Sequence, residues 1–262
     1  MKTILIGAGN VATSLAKSLA LQGCAPAQIW SRTLVSAEAL ATAVGSRATA
    51  DWREVDTDAD LYIVAVKDSA MAEVIDNLCT HCNTGIFVHT AGTMSMNLFL
   101  GKAEHYGVLY PMQTFSKRKE VDFKQVPCFV EASDENTLNT IMQFAQQLSD
   151  NVRFLKEADR QWLHVAAVFA CNFANACNAM AAEVLECHGL DFSVMLPLVD
   201  ETVAKLHRLS PREAQTGPAS RGDAIVAGRH LEMLAGNERL SEAYRVMSEY
   251  INPQLNLNLI KK

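Results

Sequence analysis

The sequence is short of positive charge. Its 262 residues carry 23 Lys and Arg against 29 Asp and Glu, a formal net charge of -6 at pH 7. Proteins that bind nucleic acids or anionic membranes in general need a basic electrostatic field. The charge balance therefore argues against both classes of partner, and it leaves room only for a local basic pocket that holds a phosphate.

Long apolar runs are also missing. No uninterrupted run reaches the ~18 residues of a membrane-spanning helix, and the first apolar residues predict a core strand rather than a targeting segment. We therefore expect neither a membrane span nor a leader. The seven cysteines cannot all pair within one chain, and several lie in apolar helical stretches, where cysteine behaves as a small hydrophobe. These features predict a cytoplasmic protein.

The ligand set of a zinc site is incomplete. Cys79 and Cys82 form a Cys-x-x-Cys pair, but no second pair stands at a matching spacing, and zinc needs four ligands. A redox pair of this type opens a helix, where the dipole lowers the thiol pKa, whereas this pair is predicted to end one. We expect no metal site.

What the sequence does contain is a dinucleotide fingerprint at its amino-terminal end. A short apolar run predicts a buried strand, and leucines at helical spacing follow it. Between them stands Gly-x-Gly-x-x-Ala. Gly7 allows a tight turn, Gly9 lets a pyrophosphate approach the backbone, and Ala12 keeps the helix close to the sheet.

The start of that predicted helix, at Asn10 and Val11, supplies free backbone N–H groups. These groups and the helix dipole attract a negatively charged ligand. A chance glycine-rich turn in an ordinary α/β protein is the alternative. The position of the motif, directly after a strand and directly before a helix, favours cofactor binding.

The residues after the second predicted strand indicate which dinucleotide binds. An NAD site usually has an acidic residue about 20 residues past the glycines, whereas this chain has Ser31, Arg32 and Thr33. A guanidinium with two hydroxyls can hold a 2′-phosphate, which an acid would repel. The pattern predicts NADP. The alternative is that Arg32 is an ordinary surface residue.

Two further strand ends are predicted to face the cofactor. The apolar run at residues 61–66 is typical of a strand covered on both faces, and it ends at Val66, before Lys67 and Asp68. Another strand ends at Thr90 and Ala91. Ligands of open α/β sheets bind at such carboxyl ends. Lys67 and Asp68 could contact the nicotinamide ribose, or Asp68 could cap the next helix.

The alternation of strands and helices predicts a Rossmann-type doubly wound α/β sheet over residues 1–156. No strand is predicted after it, so residues 157–262 are expected to form an all-helical dimerisation and substrate domain. Its first helix, residues 158–188, would be about 45 Å long. Because this helix is apolar on nearly every face, it belongs in a core or in a subunit interface.

The same long helix carries the first candidates for catalysis. A nicotinamide carries the hydride itself, so the protein must hold the substrate and supply a proton. His164 could donate or orient that proton, and Asn172 lies near the same polar stripe. The alternative is a packing histidine that is hydrogen-bonded to a backbone carbonyl.

Two loops offer further polar groups. Gln113 and Thr114 follow a predicted strand and could bind a substrate carboxylate or the nicotinamide carboxamide, or they could form an ordinary turn. Arg221 could hold a substrate carboxylate with two hydrogen bonds, or it could pair with Asp223 at the start of a helix.

Taken together, the chain resembles a family of NADP oxidoreductases that join a Rossmann-like domain to a helical carboxyl-terminal domain of unassigned function. The matching segments are residues 6–12, 31–32, 89–92, 110–115 and 216–223. More distantly it is similar to pyrroline-5-carboxylate reductase, to the deazaflavin-dependent NADP reductases and to the 6-phosphogluconate dehydrogenase superfamily.

The resemblance implies a homodimer through the helical domain, with an active cleft between the domains. The β-hydroxyacid dehydrogenases of that superfamily carry a catalytic Lys with an Asn one turn later, whereas this chain has His164 followed by Val168. Two hypotheses follow: an NADP-dependent reductase of a small carbonyl or imine, and a non-catalytic dinucleotide sensor or assembly protein.

Overall fold

The computed structural model describes residues 1–255 and 257. The chain forms two compact units, one over Met1–Cys171 and one that begins at Asn172. The first unit holds every strand of the described residues, together with the start of the helix that follows the last strand. The predicted domain boundary after residue 156 stays a prediction.

Eight strands form a single sheet in the first unit, in the order β3-β2-β1-β4-β5-β6-β7-β8. The strands β1 to β6 are parallel, β7 is antiparallel to β6, and β8 is parallel to β7. Their bounds are β1 Thr3–Ile6, β2 Gln28–Trp30, β3 Arg47–Thr49, β4 Leu61–Val64, β5 Ile86–His89, β6 His105–Pro111, β7 Cys128–Ala132 and β8 Val152–Phe154. The strand order reverses between β1 and β4, which confirms the predicted Rossmann-type sheet.

Helices cover both faces of this sheet. They are α1 Asn10–Leu21, α2 Leu34–Val44, α3 Asp68–His81 and α4 Glu135–Leu148. Leu15 of α1, Leu40 of α2 and Phe144 of α4 belong to one buried apolar cluster, whereas Ile75 of α3 belongs to a second. The central strands are buried on both sides, which explains their unbroken apolar sequence.

The rest of the described chain is helical, as predicted. Its helices are α5 Glu157–Ala167, α6 Ala174–Glu186, α7 Leu196–Lys205, α8 Ala224–Met233 and α9 Glu238–Ile251, and a π-helical segment, Val168–Phe173, joins α5 to α6 without a break. The predicted long helix is therefore present, although a change of hydrogen-bond pattern interrupts it.

The segment Glu157–Glu186 presents its apolar side chains to the outside of the single chain. Arg160 is the one buried residue that it contains, while Trp162 is 75% exposed. By length and composition alone, this segment could also cross a membrane. The expectation of no membrane span stays a prediction, because an apolar helix of a soluble protein can have the same length and composition.

Candidate functional site

The turn after β1 requires glycine at position 7. Gly7 has a φ of +124°, and a Cβ atom there would lie 2.3 Å from the carbonyl oxygen of Ala65, just past β4. Its N–H donates to the carbonyl of Trp30 at 2.7 Å. The end of β1 is thus closed in by the ends of β2 and β4, and no side chain fits at residue 7.

Residue 9, in contrast, has room for a side chain. It is the N-cap of α1 with a φ of -79°, and a Cβ atom at this residue would meet no heavy atom within 4 Å. The first N–H groups of α1, at Asn10 and Val11, have no acceptor inside the helix, and Ala12 is buried beneath them. Open space at the positive end of a helix suits a pyrophosphate.

This contrast predicts two different defects. Gly7→Ala forces a residue with a Cβ into a left-handed conformation and a backbone clash, so we expect a loss of at least about 1–3 kcal/mol in the free energy of unfolding. Gly9→Ala should keep wild-type stability and weaken NADPH binding. Urea denaturation and fluorescence titration with NADPH measure the two effects. Equal stability of the two variants would contradict the assignment of Gly7 as a structural glycine.

Arg32 follows β2 at the same edge of the sheet. The N–H of Ser31 donates to the carbonyl of Thr49 at 3.1 Å, which holds this segment against β3. The Thr33 hydroxyl donates to Ser36 Oγ at 2.8 Å. The Arg32 side chain is exposed and has no hydrogen-bond or ion-pair partner among residues 1–255 and 257. Its guanidinium is available to an exogenous phosphate.

The ends of β4 and β5 adjoin this edge. The Thr90 N–H donates to the carbonyl of Val64 at 3.1 Å, so the two strand ends lie side by side. Lys67 is the N-cap of α3, and Asp68 is its first residue. The alternative that Asp68 caps the helix is therefore wrong: its Oδ2 instead accepts from Thr93 Oγ1 at 2.5 Å and so holds the loop after β5.

A tyrosine and a histidine meet beside that loop. Tyr110 Oη and His164 Nδ1 are 3.1 Å apart. Tyr110 is 8% exposed, and burial raises the pKa of its phenol. A Cβ atom at Gly92 would lie 2.6 Å from His164 Nδ1 and 3.0 Å from Tyr110 Cζ. The loop therefore approaches the pair closely only because residue 92 is glycine.

The partner of His164 was not foreseen. The sequence suggested a backbone carbonyl as the alternative to a catalytic role, whereas the structure supplies the phenol of Tyr110. Tyr110 stands in a segment that matched the family, but no pattern linked it to a residue 54 positions away. The predicted role of His164 in proton transfer stays a prediction.

Arg160, one helical turn before His164, was also missed. Its guanidinium is fully buried and donates from Nη1 to the carbonyls of Ala91 at 2.9 Å, Gly92 at 3.0 Å and Met94 at 2.9 Å. The imidazole of His89 is also fully buried, and this burial, together with the charge of Arg160, lowers its pKa to about 4. No signal in the sequence singled out Arg160, because Glu157 and Asp159 are also charged residues of α5.

The other predicted site residues are exposed, and their proposed roles stay predictions. Gln113 and Thr114 are exposed, and the Gln113 amide oxygen accepts from the N–H of Thr114 at 2.8 Å, which forms a local turn. Asn172 and Arg221 are exposed residues of the second unit. Within the described chain, Arg221 makes no ion pair with Asp223, whose carboxylate instead caps α8 by accepting from Val226 N–H at 3.1 Å.

Two family models match the chain. Residues 2–90 match the model described as "NADP oxidoreductase coenzyme F420-dependent", and residues 126–251 match a domain of unknown function, DUF2520. Among curated proteins, no sequence matches significantly. The second model begins at residue 126, ahead of β7, so its match includes the last two strands of the sheet as well as helices α5 to α9.

Solved structures give a fuller comparison. The "putative NADP oxidoreductase BF3122" from Bacteroides fragilis is 47% identical, with a TM-score of 0.92 over 97% of this chain and 98% of that one. An imine reductase from Myxococcus stipitatus in complex with NADP+ is 17% identical, with a TM-score of 0.69 over the whole of both chains. A pyrroline-5-carboxylate reductase from Coxiella burnetii is 18% identical, with a TM-score of 0.60 over 95% and 98%. At 47% identity over nearly the whole of both chains, the first comparison shows the family as well as the fold.

Proposed function

We propose, from the premise that this chain belongs to the NADP-dependent oxidoreductase family, that it reduces a small imine or carbonyl compound. NADP is the coenzyme, as the sequence around Arg32 predicted. The observation that carries the proposal is the Tyr110–His164 pair, which packs against Gly92 in the loop after β5. This loop leaves the sheet at the edge where ligands of doubly wound folds bind.

The ends of strands β1, β2, β4 and β5, with the loops that follow them, form what we call the cofactor edge. Its residues fit the parts of NADPH. The start of α1 offers open space and unpaired N–H groups for the pyrophosphate, and Arg32 offers a guanidinium for the 2′-phosphate. When it is bound, NADPH supplies the hydride. The protein then has to place a C=N or C=O group beside it and provide the proton that completes the amine or alcohol.

The Tyr110–His164 pair suits that proton transfer. The raised pKa of Tyr110 keeps its phenol protonated, so the phenol oxygen can accept from the Nδ1–H of a protonated His164. The Nε2–H of that imidazolium can then pass its proton to the substrate nitrogen or oxygen, which leaves a neutral imidazole that is protonated again from solvent. Tyr110 fixes the tautomer and the ring orientation, a role that a neighbouring hydrogen-bond partner commonly plays for a catalytic histidine.

Imines are favoured over carbonyls by the neighbours of the same fold. Both an imine reductase and a pyrroline-5-carboxylate reductase share it, and both act on C=N bonds, as their names state.

A substrate panel tests the proposal. The purified protein would be mixed with NADPH and a set of cyclic imines, aldehydes and ketones, and NADPH absorbance would be followed. We expect consumption with at least one compound, a higher rate with NADPH than with NADH, and loss of the rate in His164→Ala. NADPH binding without turnover across the panel would support the alternative, a non-catalytic dinucleotide sensor.

We also propose that the protein is a cytoplasmic homodimer. Its seven cysteines all lie in the described part of the chain and are all free thiols, which suits a reducing compartment. Trp162 lies two residues from both Arg160 and His164, about 200° away around α5. The face of α5 opposite the site therefore exposes Trp162, Val165 and Ala166, with Asp159 at its border, and such a largely apolar surface suits a subunit interface.

A charge on this open face should separate the subunits. In Trp162→Glu and Val165→Glu, which alter residues 75% and 44% exposed, we expect the mass in solution to fall from a dimer to a monomer, because a carboxylate in an apolar interface has no partner. Light scattering measures the mass. Leu21→Glu is the matched control, since Leu21 is 87% exposed on α1. A monomeric wild type would refute the dimer.

A further inference from the structure

Arg160 is a charge in an unusual place. It is the one buried residue of α5, and its exposed fraction is 0%. A buried guanidinium is costly unless its charge is paired and its N–H groups are bonded. The partners of Arg160 offset this cost, and they therefore indicate its role.

Most of those contacts are backbone carbonyls of one loop. The carbonyl oxygens of Ala91, Gly92 and Met94 all lie within 3.0 Å of Nη1, and Arg160 Nη2 lies 3.4 Å from Glu131 Oε2. Three carbonyls that converge on one nitrogen fix the path of the loop, because each peptide plane is held through its oxygen.

The same loop touches the proposed proton donor. Gly92, whose carbonyl binds Arg160, is also the residue where a Cβ atom would collide with the His164 ring. Arg160 and His164 are four residues apart on α5, so they lie on the same face of the helix. One arginine thus joins the loop to the helix that carries the histidine.

Glu131 of β7 completes the connection. Its side chain is 12% exposed, and it is the one carboxylate in ion-pair contact with Arg160 in the part of the chain that the structure describes. Its other oxygen, Oε1, accepts from the N–H of Glu157 at 3.0 Å, at the first residue of α5. Glu131 therefore neutralises the arginine and also holds the start of the same helix.

We propose that Arg160, with Glu131 as its counter-ion, is a positioning residue for proton transfer by the Tyr110–His164 pair. It holds residues 91–94 against α5, and so sets the distance between the loop, the phenol and the imidazole. This inference rests on the proposed function for its effect on rate. The contact geometry itself can be measured without any substrate.

The experiment compares three variants with a matched control. Arg160→Met removes the charge and the donors, Arg160→Lys keeps the charge with different donors, and Glu131→Gln keeps the shape of the counter-ion without its charge. Arg153→Met is the control, because Arg153 is an exposed arginine of the same unit. Thermal unfolding establishes which variants are folded at the assay temperature.

Two readouts then follow. The first is the NMR contact between the rings of Tyr110 and His164, together with hydrogen exchange at residues 91–95. The second is kcat and KM with whichever substrate the panel yields. In Arg160→Met we expect a weakened ring contact, faster exchange in the loop and a fall in kcat of about tenfold or more, with the KM for NADPH within about twofold. Arg160→Lys should recover part of kcat.

The outcomes separate the two proposals. If the panel yields no substrate, the proposed function fails, and the ring contact and loop exchange still decide the role of Arg160. If Arg160→Met does not fold, Glu131→Gln is the deciding variant, with the same changes expected at smaller size. An unchanged Tyr110–His164 contact and an unchanged kcat in a folded variant, with only its melting temperature lowered, would overturn the positioning role.

Discussion

Arg32→Ala is expected to weaken NADPH binding by about 10- to 100-fold and to leave NADH binding nearly unchanged. The guanidinium is exposed and has no other partner among the described residues, so its removal should not disturb the fold. A hydrogen bond to a charged group contributes about 1.5–3 kcal/mol, and each 1.4 kcal/mol is a factor of ten in affinity. The 2′-phosphate is absent from NADH, so only NADPH should lose this contribution.

Fluorescence titrations with both cofactors measure the difference. Arg53→Ala is the matched control, because Arg53 is an exposed arginine that pairs with Asp51, and it should leave both affinities unchanged. A loss of affinity that is equal for NADPH and NADH would show that Arg32 binds some part of the cofactor other than the 2′-phosphate. Unchanged affinity for both would support the alternative of an ordinary surface arginine.

The second large effect is expected at His164. In His164→Ala, kcat for the substrate found in the panel should fall by about 10²–10⁴-fold, the usual contribution of a general acid, while the affinity for NADPH stays within about twofold. Tyr110→Phe should cause a smaller loss, because it leaves the imidazole in place and removes only the 3.1 Å partner of Nδ1.

Steady-state kinetics with a matched control measure these losses. His207 is an exposed histidine of the second unit, and His207→Ala should retain wild-type kcat. A kcat for His164→Ala within about threefold of the wild type would remove His164 from the mechanism, since a general acid contributes far more than that. Such a result would leave the cofactor edge intact and the source of the proton unassigned.

Local sequence predicted those features whose physical cause is local. The residue type alone predicts both the tight turn at Gly7 and the open cap at Gly9. Only glycine suits the turn, and the missing side chain opens the cap. The buried strands were recognised because a strand covered on both faces must be apolar throughout. The helical region after β8 followed from apolar spacing in the same way.

Asp68 shows where such reasoning fails. Helix-start preferences made it a capping candidate, but capping competes with other partners for the same carboxylate. The loop after β5 brings the hydroxyl of Thr93, 25 residues away, to 2.5 Å from Asp68 Oδ2. A partner that arrives through the tertiary fold cannot be read from neighbouring residues.

The sequence by itself determined that this chain builds a doubly wound sheet with a site for NADP, because glycine conformation, helix polarity and apolar periodicity act over a few residues. The tertiary structure alone decided that Tyr110 meets His164 and that Arg160 holds the loop at residues 91–94. The physical reason is the nature of the partners. Every residue has a backbone carbonyl, so the sequence does not show which three carbonyls an arginine will bind.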